Sequence, residues 1–319
     1  MDIALIIPCY NQAEYLQQLL SDLENQTDKG FYVVLVNDGS TDNTLDVCRE
    51  FQIKSGMAVD VLTNDKNRGL SAARNYGLDF VLNTRPYVKY IGFIDSDDLV
   101  SYQYVEALHK AIEYTKLPIA MCGFTRVESL FSHRDFIDSI TVSTIGIEDA
   151  YSELPRNHNP KYNINPVWGK LISVDLLRTL RFPENLRTGE EYYFSWRVLF
   201  DVFNPQDSNN LYGEKLTEPH DTFSSIALVK HPLYYYRENP AGLSKSAWSE
   251  SKWYNILSLE QSAKYFEKCG YTRAYARNIA TQRSLLTRWI NEFESKGTLD
   301  SKQAIWLSVI KERLESLDG

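Results

Sequence analysis

The sequence predicts an α/β fold: a doubly wound, mostly parallel sheet flanked by helices, with a helical C-terminal extension. Three observations carry that expectation. Short apolar runs alternate with segments of helical spacing over the first hundred residues. Those runs are nearly continuous, as strands buried on both faces require. Past about residue 246 the apolar residues recur only at helical spacing. Strand–helix alternation implies right-handed crossovers, and ligands in such sheets sit beyond the carboxyl ends of the strands.

Ile3 to Ile7 is the first apolar run, and Pro8, Cys9, Tyr10 and Asn11 end it. Asn11 or a neighbour is placed to cap a helix whose apolar residues are Tyr15, Leu16, Leu19, Leu20 and Leu23. Phe31 to Val36 reads as the second strand, closed by Asn37, Asp38, Gly39 and Ser40. Thr41 and Asp42 open the next helix. Ala58 to Leu62 reads as a strand, Leu70 to Leu82 as a helix, and Tyr87 to Ile94 as a strand closed by Asp95, Ser96, Asp97 and Asp98. After residue 118 the pattern changes. Ile119 to Val127 reads as a strand and 130–165 as irregular. Asn165 to Lys170 leads into a short helix, and Glu190 to Phe200 has helical spacing. Ile226 to Arg237 mixes strand and loop. The tail helices are marked by Leu259, Ala263 and Phe266, by Leu285, Leu286 and Trp289, and by Ile305, Leu307 and Ile310, with breaks at Gly270 and Gly297.

The chain has 319 residues, 43% of them hydrophobic, and a net charge of −8. That composition supports a full core and argues against global disorder. An acidic total disfavours a nucleic-acid binder, because phosphate neutralisation needs clustered Lys and Arg. The charge is uneven: 245–319 has more basic than acidic residues, and the remainder holds the acidic excess. Cys9, Cys48, Cys122 and Cys269 are scattered without a C-x-x-C pair, which suits a reducing compartment. No basic, then apolar, leader opens the sequence, and no apolar run approaches the roughly 20 residues of a membrane span. The expectation is a cytoplasmic protein, soluble or peripheral on the inner face of the plasma membrane.

Three polar clusters carry the chemistry. Asp95, Asp97 and Asp98 crowd three carboxylates at a strand end, an arrangement that a hard divalent cation relieves. The structural alternative is a solvated turn that caps the next helix. In the second cluster Gly39 permits a tight turn and Asp38 offers a carboxylate to a base or ribose. The third runs from Asn67 through Gly69, Ser71 and Arg74 to Gly77, where a helix N-terminus with an adjacent Arg suits an anion. Neither G-x-x-x-x-G-K-[ST] nor G-x-G-x-x-G is present at these positions.

Together these motifs resemble the family 2 glycosyltransferases of GT-A fold. The resemblance is dense over 1–100 and continues thinly through Trp168-Gly169-Lys170, Gly189-Glu190-Glu191 and Tyr234 to Arg237. It implies a catalytic domain over 1–245, with a nucleotide-binding half at 1–118 and an acceptor half at 119–245, followed by an extension at 246–319. By the family pattern Pro8, Tyr10 and Asp38 hold the nucleoside, and Arg74 lies near the nucleotide. Asp95 binds the ribose and shares Mn²⁺ or Mg²⁺ with Asp97. Arg237 and Lys245 contact the donor diphosphate. The family's Glu-Asp pair becomes Glu190-Glu191 here, so Glu191 stands in the general base position and Glu190 is the neighbouring alternative.

The resemblance implies an inverting transferase that moves a sugar from a nucleotide-diphosphate sugar, with UDP expected, to a saccharide acceptor, which a lipid link would bring to a membrane. Lipopolysaccharide, O-antigen or capsule synthesis is the expected setting. Two alternatives stay open: a nucleotidyltransferase of similar sheet, and a non-catalytic sugar-nucleotide binding module. The basic residues Lys264, Lys268, Arg273, Arg277, Arg283 and Arg288 suit an anionic membrane surface. They equally suit a helical cap packed on the catalytic domain or on a dimer partner.

Overall fold

A computed structural model describes residues 1–128, 136–152, 161–186, 188–200, 225–238 and 248–317. The first half alternates as its spacing predicts: β1 (Ile3–Cys9), α1 (Ala13–Glu24), β2 (Phe31–Asn37), α2 (Thr44–Lys54), β3 (Val59–Thr63), α3 (Leu70–Thr84) and β4 (Tyr90–Phe93). β1 pairs in parallel with β2 and β4, and β2 with β3. The register sets Cys9 level with Asn37, so the loops after β1 and β2 leave from one edge. β1 is buried throughout. Ile3, Leu5 and Ile7 join the core on one face, and Ala4 and Ile6 the core on the other. The period-2 pleat makes that division, which is why the run reads as continuously apolar.

The second half is mixed. It contains β5 (Leu99–Val100), α4 (Tyr104–Thr115), β6 (Ile119–Val127), β7 (Val142–Gly146), α5 (Ile147–Ser152), β8 (Lys170–Ser173), α6 (Glu190–Phe200) and β9 (Ser225–Arg237). Among the described residues the nine strands run β3-β2-β1-β4-β8-β6-β9-β5, with β7 on β9. β8 lies antiparallel between β4 and β6. β9 runs parallel to β6 and antiparallel to β5 and β7. The stretch expected to mix strand and loop is one strand of 13 residues, bent by register shifts in its pairing around Gly123. Asn165 to Lys170 leads into β8 rather than directly into a helix. Only a short 3₁₀ turn, Val174–Leu176, follows it.

The extension holds α7 (Trp253–Cys269), α8 (Thr272–Glu294) and α9 (Ser301–Glu315). Ile256, Leu259, Leu286, Trp289, Phe293 and Ile310 form its own core, whereas Tyr265, Phe266 and Ala274 join the core beneath the sheet. The buried side of α8 is therefore covered by protein, and Arg273 pairs with Glu148 of α5. Among the described residues no helix is long and apolar enough to cross a membrane.

Candidate active site

The loops after β1 and β2 are tied together. Asn11 does not cap α1; at φ 52° its Oδ1 accepts from the Thr41 amide at 2.8 Å. Ser40 Oγ in turn accepts from the Asn11 amide at 3.1 Å. Pro8 is buried in β1, and Tyr10, two residues on, is 43% exposed. Asp38 is buried and organises the neighbouring loop. Its Oδ1 accepts from Asn64 Nδ2 at 2.7 Å and from the Arg68 amide at 3.0 Å, and its Oδ2 from the Gly69 amide at 2.8 Å. Asp38 thus sets the entry to α3. Gly39 sits at φ +67°, where an added Cβ would lie 2.4 Å from the Lys66 carbonyl carbon.

The acidic turn points its carboxylates in different directions. Asp95 and Asp97 are half-buried, but Asp98 is buried. Asp98 Oδ2 accepts from Tyr234 Oη at 2.6 Å, and Oδ1 accepts from the Arg237 amide at 2.8 Å. Burial pushes the Asp98 carboxyl well up, and Asp95 and Asp97 push it further. Asp98 therefore anchors the turn to β9 and caps no helix.

Arg74 occupies the centre of the site with no side-chain exposure. Its Nη2 lies 2.7 Å from Asp95 Oδ1 and 2.6 Å from Glu191 Oε1, while Nη1 faces Glu190 Oε1 at 3.9 Å. The Phe182 ring lies 5.3 Å from the guanidinium carbon. Three carboxylates from two distant segments thus share one buried cation, which lies beneath them. Burial pushes the Glu191 carboxyl up to about 7; Arg74 opposes this, and Asp95 and Glu190 add to it. Burial likewise raises Glu190, against the pull of Arg74. Glu191 is 27% exposed and Glu190 12%, so Glu191 is the more reachable of the two.

Lys170, which the sequence did not single out as a site residue, is buried beside this group. Its Nζ donates to the Asn163 carbonyl at 3.4 Å and to the Pro166 carbonyl. Burial pushes its ammonium down to about 7, against the attraction of Glu191. Arg237 is also buried. Its Nη2 donates to Gln18 Oε1 at 2.5 Å and its guanidinium lies 4.7 Å from the Tyr15 ring centre, so it faces α1. Trp168 stacks on Tyr234 at 4.4 Å as part of the core. Lys245 lies outside the described residues. Among the described residues no three His, Cys, Asp or Glu side chains form a metal cage. Asp95 and Asp97 offer hard, half-buried carboxylate oxygens, a donor set that fits Mg²⁺ or Mn²⁺ when a diphosphate and water complete the coordination.

The glycosyl transferase family 2 pattern matches residues 4–179, more than half of the chain. The chain belongs to this family. That membership sets the nucleotidyltransferase alternative aside. Glycosyltransferase GlyA of Streptococcus pneumoniae is 28% identical over 305 residues, spanning 94% of this chain but 39% of GlyA. Minor teichoic acid biosynthesis protein GgaB of Bacillus subtilis is 28% identical over 265 residues, spanning 80% of this chain and 25% of GgaB. The chain therefore spans well under half the length of both relatives. The crystal structure of S. aureus TarS residues 1–349 superposes with a TM-score of 0.65 at 18% identity, over 99% of this chain and 83% of that one. Its complex with UDP-GlcNAc gives a TM-score of 0.60 at 18% identity, over 92% and 80%. The family 2 member described here thus carries the GT-A sheet and flanking helices, with helices appended at the C-terminal side.

Proposed function

We propose that this family 2 glycosyltransferase moves a sugar from a UDP-sugar to a hydroxyl of a saccharide acceptor, with inversion at the anomeric carbon. Glu191 carries the reading: a partly exposed carboxylate, pushed up to about 7, at the carboxyl ends of the parallel strands. A base with that value is ionised in part at neutral pH and holds a proton once it takes one. Glu191 removes the proton of the acceptor hydroxyl as its oxygen bonds to the anomeric carbon. The bond from that carbon to the diphosphate oxygen breaks, and the nucleoside diphosphate leaves with the electron pair. Arg74 stabilises ionised Glu191 before transfer and holds Asp95 throughout. By the family pattern Pro8, Tyr10 and Asp38 would serve the nucleoside and Asp95 the ribose, whereas Arg237 is buried against α1 and is not assigned to the diphosphate. Bound at Asp97 and Asp95, Mn²⁺ or Mg²⁺ supplies neutralisation of the leaving diphosphate's charge.

The product belongs to a cell-envelope polysaccharide, such as O-antigen, capsule or teichoic acid. The UDP-GlcNAc complex of TarS and the teichoic acid role in GgaB's name support the donor class and the setting. A lipid-linked acceptor would bring the chain to the inner face of the plasma membrane, with exposed Lys264 and Lys268 toward anionic headgroups. Nucleotide release from a panel of UDP- and GDP-sugars with Mn²⁺ tests the reading. A UDP-sugar should turn over, Glu191→Gln should lower kcat by about 100-fold or more with UDP binding retained, and Asp97→Ala should abolish turnover. Transfer that survives both changes would refute it.

A further inference from the structure

We propose that the helical extension positions the base, with Tyr192, Asn255, Ser262 and Asn278 as positioning residues for Glu191; this rests on the assignment of Glu191 above. The first observation is a break in a pattern. The buried positions of α8 are Ala274, Asn278, Gln282, Leu286, Trp289 and Phe293. Spacing of three to four residues calls for apolar side chains there, yet 278 and 282 are amides with no exposure. A buried amide is costly unless its hydrogen bonds are met.

They are met, and the bonds lead to the site. Asn278 Nδ2 lies 2.9 Å from the Leu259 carbonyl, 2.7 Å from Ser262 Oγ and 3.0 Å from Tyr192 Oη. Tyr192 Oη also meets Ser262 Oγ at 2.9 Å and the Tyr151 hydroxyl. Behind them Gln282 Nε2 donates to Asn278 Oδ1 at 2.8 Å, and Arg313 Nη2 donates to Gln282 Oε1 at 3.1 Å. One polar chain, fully buried at Gln282, Asn278 and Ser262, therefore crosses α9, α8 and α7 and ends on the residue that follows Glu191.

A second tie lies just before the two glutamates. Thr188 Oγ1 donates to the Ser251 carbonyl at 2.6 Å, and Asn255 Nδ2 reaches Thr188 Oγ1 at 3.4 Å. Gly189 has φ +82°, and an added Cβ there would stand 2.9 Å from Asn255 Oδ1 and 3.1 Å from its Cα. The chain at 189 thus rests directly on α7. Residues 188, 189 and 192 are all held by the extension, and 190 and 191 lie between them. A satisfied polar network fixes one geometry where an apolar interface would accept several. Base placement needs that precision, since a 1 Å error costs on the order of 100-fold in rate.

The test compares Tyr192→Phe and Ser262→Ala with Ser262→Thr, which keeps the hydroxyl, and with Leu286→Ala in the extension's own core. Amide hydrogen exchange is read over 190–194 against the β1 amides, which report global opening. UDP release is followed from UDP-glucose, UDP-galactose and UDP-N-acetylglucosamine. Tyr192→Phe and Ser262→Ala should raise exchange over 190–194 about 10-fold with β1 unchanged. They should also lower kcat by about 10- to 100-fold with the donor KM within about two-fold. Ser262→Thr should restore both, and Leu286→Ala should lower Tm while leaving both near the native values. Native exchange over 190–194 in Tyr192→Phe would overturn the proposal, as would the same local change in Leu286→Ala. If the native chain turns over none of the three donors, the functional reading fails, and the exchange data alone decide whether the extension holds 190–194.

Discussion

Arg74→Met isolates the electrostatics of the site. Met keeps an unbranched stem and removes the guanidinium that Asp95 and Glu191 share at 2.7 and 2.6 Å, with Glu190 at 3.9 Å. Deleting one partner of a buried ion pair costs about 3–5 kcal/mol. Asp95 and Glu191 are 24% and 27% exposed, so water offsets part of this, and the expected loss at pH 8 is roughly 2–3 kcal/mol. That is a large share of a typical total of about 5–15 kcal/mol. Urea unfolding of both proteins at pH 5 and pH 8 reads the difference. Without Arg74 the folded-state values of the Glu190 and Glu191 carboxyls rise further. A raised carboxyl costs nothing below its unfolded value, costs progressively more as pH climbs from there to the folded one, and costs a constant amount above it. The deficit should therefore be largest at pH 8 and shrink toward pH 5, where the carboxyls hold protons. A deficit under about 1 kcal/mol at pH 8, or one that grows on acidification, would refute the shared-cation account.

Transfer rate should rise with pH as Glu191 ionises and level off above about 7; a flat profile from pH 5 to 8 would remove Glu191 as the titrating base. Lys170 is pushed down to about 7 from 10.5, so its burial costs stability below about pH 7 and that cost fades as pH rises toward 10.5. Lys170→Met should accordingly raise Tm more at pH 6 than at pH 9, and calorimetry showing the reverse order would exclude the effect. Gly39→Ala forces a positive φ on an L side chain and drives its Cβ into the Lys66–Asn67 backbone. It should destabilise by at least about 1–2 kcal/mol in urea unfolding and weaken UDP binding, because the 64–69 loop must move.

β1, β2 and β4 were legible because strands buried on both faces must be apolar runs, and their polar ends stand out. β8 was not: it has four residues and opens with Lys170, so no period is long enough to detect. α4 lay unread between the acidic turn and β6, although its apolar positions 104, 105, 108, 111 and 112 follow helical spacing. The site residues were legible as types, not as partners. Arg74 is one helical residue among several until Asp95 and Glu191, 21 and 117 positions away, are folded onto it. Likewise nothing local says that Asp98, of the three acids, turns inward; Tyr234 and the Arg237 amide decide that. Asn278 and Gln282 were visible as polar interruptions of an amphipathic helix, a signal that periodicity alone discards as noise.

The anchoring of Asp98 separates two kinds of change in this chain. The acidic turn is stapled to β9 by bonds to positions 234 and 237, and by the pairing of Leu99 with Tyr235. Whatever chain length lies between β6 and β9, the same two ends meet at the same turn. Insertions or deletions in that interval that spare β8 and α6 would leave this staple standing, because the turn at 95–98 and positions 234–237 both lie outside it.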